Sequence, residues 1–194
     1  AVLVCDVADL DAAVPLLFAS KFRNAGQTCI SPTRFFVQEK VYDAFIDAFA
    51  KAAFALKLGN GLAADTTMGP LVRQRRLGDV QAFLDDAKAR GGRILAGSQA
   101  SDANGAFLAP TVVADLDDDA RLMRDEPFGP VIGVTPFKTL DEAVTRANRV
   151  PYGLAAYAFT RSLHNAHAVA EELEAGMIGV NTCKISYPET PFGG

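Results

Sequence analysis

Short apolar runs take turns with longer stretches of helical periodicity along almost the whole of this 194-residue chain. No other feature restricts the architecture as much. Residues 1–5, 33–38, 93–97, 130–137, 154–160 and 177–182 read as strands, with residues 107–116 as a further extended piece. Residues 9–22, 40–56, 71–92, 140–150 and 163–176 read as helices. Strands separated by helix-length segments cannot pair through tight hairpins, so they pair in parallel. The expected fold is therefore α/β: a three-layer α/β/α arrangement with a largely parallel sheet covered on both faces.

Local signals sharpen several boundaries. Asp9 is placed to cap the first helix, against which Pro15 counts. Val41, Phe45, Ala48, Phe49 and Ala52 recur at helical spacing and are expected on one buried face. Gly91 and Gly92 stop the next helix, and Arg73, Arg75 and Arg76 near its start read as a solvated face. Thr139 and Glu142 form a capping box. Asp117, Asp118 and Asp119 are expected to cap and charge a helix start. The glycines of residues 59–70 follow no strand and lack the GxGxxG spacing, so they make a turn rather than a phosphate cradle.

Charge and cysteine usage exclude whole classes. A net charge of −4 without a Lys/Arg-rich run argues against a nucleic-acid surface. No apolar stretch reaches membrane-spanning length and no signal-peptide pattern opens the chain. Cys5, Cys29 and Cys183 are far apart and odd in number, which fits free thiols in a reducing cytoplasm. His164 and His167 are three apart on a helix without a third ligand, so no metal site is expected.

One cysteine has an unusual setting. In Phe22-Arg23-Asn24-Ala25-Gly26-Gln27-Thr28-Cys29, Gly26 allows a tight turn and a close approach of backbone to substrate. A nucleophilic thiol needs exposure and N–H groups aimed at the oxygen that becomes negative on attack. This segment resembles the nucleophile motif of the aldehyde dehydrogenase superfamily. Residues 125–134 (DEPFGPVIGV) resemble that family's Glu-x-Phe-Gly-Pro segment, and residues 147–160 (ANRVPYGLAAYAFT) its Asn-x-x-x-Tyr-Gly-Leu segment. Residues 176–182 (GMIGVNT) resemble its Gly-x-x-x-Val-Asn strand, and residues 191–194 (PFGG) a further motif. Their order matches over essentially the whole chain.

The resemblance implies roles residue by residue. Cys29 matches the nucleophile that forms a thiohemiacetal and then a thioester, with its own N–H as an oxyanion donor. Glu126 matches the carboxylate that holds a ribose of NAD or NADP, and Phe128 the ring that packs by the nicotinamide. The closest likeness is to succinate-semialdehyde and ketoglutarate-semialdehyde dehydrogenases, in which the arginine six positions before the nucleophile binds a substrate carboxylate; here it is Arg23. Ser186, ahead of the final motif, matches a serine with a related task. Ser31 stands where some of these enzymes carry a second cysteine, so no redox lock is expected.

The same resemblance implies that residues 1–194 are a truncated catalytic domain, with the cofactor domain, the oligomerisation extension and the general base outside this chain. The complete enzyme is expected to be a homo-oligomer acting on a small aldehyde, and the isolated piece to be inactive. Two other readings stand beside this one: a CoA-acylating semialdehyde dehydrogenase, and a non-catalytic assembly module with the same fold.

Overall fold

A computed structural model describes residues 1–97, 100–101 and 105–194. In chain order the strands are β1 (Val2–Val4), β2 (Arg34–Gln38), β3 (Arg93–Ala96), β4 (Ala100–Ser101), β5 (Phe107–Leu108), β6 (Thr111–Ala114), β7 (Val131–Phe137), β8 (Ala155–Phe159) and β9 (Met177–Val180). The helices are α1 (Leu10–Phe22), α2 (Glu39–Phe54), α3 (Arg75–Ala89), α4 (Arg121–Arg124), α5 (Leu140–Ala147) and α6 (Leu163–Glu172). Seven strands form one sheet in the order β3-β6-β7-β2-β1-β8-β9, and β4 pairs with β5 in a separate short ribbon. Within the large sheet β3 runs antiparallel to β6, and every other neighbouring pair is parallel. The expected fold class holds.

Strand β2 shows why both faces are covered. Successive side chains point to opposite sides of a strand. Phe35 points to one side, where its ring lies 5.9 Å from Phe45 and 5.5 Å from Phe49 of α2. Phe49 also meets Phe18 and Phe22 of α1, at 5.5 and 6.1 Å. Arg34 and Phe36 point to the other side. There Arg34 Nη2 donates to the carbonyls of Arg146 and Ala147 in α5, and the Arg146 guanidinium sits 5.2 Å from the Phe36 ring centre. Burying each such ring is worth about 1.5–3 kcal/mol, which makes the aromatic cluster the main fastening of α1 and α2 to the sheet.

Several local readings change. The buried face of α2 is Tyr42, Phe45, Ile46, Phe49 and Ala53, while Ala48 is exposed and Val41 and Ala52 are half-buried. The stripe turns toward Tyr42 because its hydroxyl has partners, donating to Asp115 Oδ1 at 2.8 Å. Asp9 caps α1 by accepting from the Ala12 N–H, and Pro15 is tolerated on the exposed side of that helix. Thr139 caps α5 by accepting from the Glu142 N–H, and the Glu142 carboxylate reaches back to the backbone N–H groups of Lys138 and Thr139, as a capping box requires. The aspartate run does not cap α4: Ala120 holds the N-cap without a side-chain bond, and Asp118 is drawn away to Arg146 and Arg149. Arg76 is not simply solvated, since it bonds Asp79 and the Pro127 carbonyl. His164 and His167 are exposed on α6, and no metal-holding group occurs among the described residues. Among those residues no helix is long and apolar enough to cross a membrane.

Candidate active site

Helix α1 ends in a turn that L residues enter reluctantly. Asn24, Ala25 and Gly26 have φ of 52°, 53° and 72°, three left-handed residues in succession. Asn and Gly tolerate that region; Ala25 does so at a cost of about 1–3 kcal/mol. Gln27 and Asn24 hold the turn. Asn24 Nδ2 donates to the Gln27 carbonyl, and Gln27 Nε2 donates to the Asn24 carbonyl, at 3.1 and 3.0 Å. Gln27 Oε1 also accepts from the Val72 N–H at 2.8 Å, which ties the turn to the loop before α3.

Gly26 has a second reason to be glycine. A Cβ there would lie 2.2 Å from the Gly129 carbonyl oxygen. The backbone of the Glu126–Gly129 loop therefore rests directly on the turn that leads to Cys29. Phe128 itself has φ of 42° and is exposed.

Cys29 is exposed, in contrast to buried Cys5 and half-buried Cys183. Its backbone N–H makes no hydrogen bond among the described residues, so it is available to a developing oxyanion. The turn is pinned from below. Ser31 Oγ donates to the Lys21 carbonyl, the Ser31 N–H to the Thr28 carbonyl, and the Tyr157 hydroxyl to the Ile30 carbonyl, at 3.2, 2.9 and 2.6 Å. Burial raises the Tyr157 pKa; Cys183 and Cys29 act in the same sense, and Arg23 opposes them. Burial likewise pushes the Cys183 thiol up to about 11.

Cys29 and Glu126 line one cavity of about 80 Å³ together with Arg34, Asn148 and Tyr152. Phe128 lines a neighbouring space of about 530 Å³ with Asn24, Gln27, Val72 and Arg76. The second falls in the range of ligand sites and the first is well below it. Arg23 is exposed and shares the Tyr157 surroundings with Cys29. Ser186 is exposed one residue beyond Ile185, whose side chain lies against Gly179. Ser186 lines neither of these two cavities.

A turn with an exposed thiol, seated on a Glu-Pro-Phe-Gly loop, is found here in a chain whose residues 1–194 match the aldehyde dehydrogenase family. The chain belongs to that family. This aldehyde dehydrogenase chain is 48% identical over 193 residues to a 4-(hydroxymethyl)benzenesulfonate dehydrogenase of Comamonas testosteroni, covering 100% of this chain and 40% of that protein. It is 44% identical to a mitochondrial succinate-semialdehyde dehydrogenase of Oryza sativa subsp. japonica, covering 99% of this chain and 36% of the relative. Among solved structures, an NADP-dependent enzyme of E. coli superposes with a TM-score of 0.95 at 40% identity, covering 99% of this chain and 40% of that one. The chain thus spans about 40% of the length of curated relatives that it matches.

Sequence reading gives no role to three residues around the Cys29 turn and its cavity. Lys21 looks like an ordinary helix residue, and Tyr152 and Tyr157, although both lie within the motif-bearing residues 147–160, carry no local sign of what they touch. Only the tertiary fold brings Tyr157 to the Ile30 carbonyl and Tyr152 to the Arg124 carbonyl.

Proposed function

We propose that this chain supplies the nucleophile and part of the nicotinamide-cofactor contacts of an NAD(P)-dependent dehydrogenase that oxidises an anionic aldehyde, a semialdehyde above all. One observation carries the reading: an exposed thiol stands on a strained, hydrogen-bonded turn in backbone contact with the loop of Glu126 and Phe128. In this reaction the Cys29 thiolate adds to the aldehyde carbon. The carbonyl oxygen takes the electron pair and is met by the Cys29 N–H. NAD(P)+, when bound, accepts the hydride. What remains on sulfur is a thioester, and water releases the acid. Glu126 offers two acceptor oxygens to a ribose diol, and Phe128 offers a flat apolar face to the nicotinamide. These roles fit the exposed positions of both residues.

The anionic substrate class is supported by Arg23, an exposed guanidinium on the turn before Cys29. Its planar fork suits a carboxylate or a sulfonate. Ser186 is proposed as a further donor to the same group. Water rather than CoA is taken as the acyl acceptor.

Selective labelling tests the nucleophile. In the native chain iodoacetamide at pH 8 should modify Cys29 first, Cys183 far more slowly and Cys5 only on unfolding. A thiol with a pKa of about 11 is ionised to about one part in a thousand at that pH. Equal labelling of all three would favour an assembly module. In the complete protein, Cys29→Ser should abolish succinate-semialdehyde-dependent NAD(P)H formation, whereas Arg23→Gln should raise KM for the semialdehyde at least tenfold and spare an uncharged aldehyde.

A further inference from the structure

Arg34 leaves a charge unanswered behind the thiol turn. It is 7% exposed, yet no carboxylate pairs with it among the described residues. Nη2 donates to two backbone carbonyls, and Nε is buried without any partner. A buried cation with an orphaned donor is costly and calls for a compensating group. Burial pulls the pKa of Arg34 down, with Tyr152 and Asp118 partly opposing, but a guanidinium keeps its proton at any physiological pH.

Arg34 forms one wall of a second cavity, of about 190 Å³, lined also by Arg124, Arg146, Arg149, Asp118 and Asp119. Only Arg34 is shared with the Cys29 cavity. The donors of Arg146 are engaged by Asp118, Glu142, Thr135 and the Pro136 carbonyl. Arg149 is held by Asp118 and Asp119. The two aspartates thus balance two arginines. Arg34 and Arg124 remain, and the Arg124 guanidinium makes no hydrogen bond among the described residues.

We propose that this cavity binds a small dianionic oxyanion of the phosphate class between Arg34 and Arg124. Guanidinium forks match tetrahedral oxyanions. The volume lies below the range of sites for larger organic ligands, which favours a free ion over a nucleotide. Arg34 opens β2, five residues after Cys29 in the sequence, so the ion steadies the strand behind the nucleophile.

Calorimetry and thermal unfolding of the chain with inorganic phosphate, against sodium chloride of equal ionic strength, test this. Phosphate should bind saturably and raise Tm. Arg124→Gln should weaken binding at least tenfold, and Arg34→Gln should do the same where it folds. Because Arg124 is exposed, its variant decides the matter even if Arg34→Gln does not fold. Arg73→Gln, at an exposed arginine outside the cavity, should leave binding unchanged. Absence of a saturable phosphate effect, full binding by Arg124→Gln, or an equal loss in Arg73→Gln overturns the site. AMP that binds as tightly as phosphate overturns the assignment to a small free ion.

Discussion

Lys21 carries an amine into the core beneath the Cys29 turn. It is 0% exposed, its Nζ lies 3.2 Å from Thr33 Oγ1, and burial draws its pKa down to about 7. An unfolded lysine titrates near 10.4. Between those values the unfolded chain holds a proton that the folded chain has released. Stability should therefore rise with pH across that window, by at most about 1.4 kcal/mol per pH unit from this group. Urea unfolding at pH 7 and pH 9.5 should show the rise in the native chain and a flatter response in Lys21→Met. Parallel responses would remove Lys21 as the cause. The turn that leaves Cys29 exposed was legible in the sequence because its signal is local: a glycine that permits the turn a few residues before the thiol. Lys21 and Tyr157 were not, because their partners Thr33 and Ile30 stand 12 and 127 positions away.

At the scale of elements, caps and periodicity act over three or four residues, so helix and strand positions could be read directly. The α5 cap shows the size of such a signal. Thr139→Ala should cost about 1 kcal/mol in chemical denaturation, and Thr139→Ser should restore most of it, since only the hydroxyl acceptor matters. An unchanged midpoint in the alanine variant would contradict that role. Where local reading failed, a distant partner intervened. The α2 stripe rotated toward Asp115 through Tyr42, the α4 aspartates turned to Arg146 and Arg149, and Arg76 left solvent for the Pro127 carbonyl. None of those partners lies within a helical turn of the residue it attracts.

For the whole molecule, strand order was the part the sequence could not supply, because parallel neighbours meet across long separations. β1 is three residues long, yet it lies between β2 and β8 with every residue buried. β3 and β9 lie at the two margins, and β3 has an irregular register at Ile94 and Ala96. Hydrogen exchange followed by mass spectrometry should find the slowest amides in β1, β2 and β7 and faster exchange in β3 and β9. Uniform protection across the sheet would contradict that ranking. One intimate touch has a wider consequence. With the oxygen of Gly129 filling the place of a missing methyl on Gly26, no slack separates the two loops. The Glu126–Gly129 loop cannot move toward the turn that carries the sulfur without pushing that turn ahead of it.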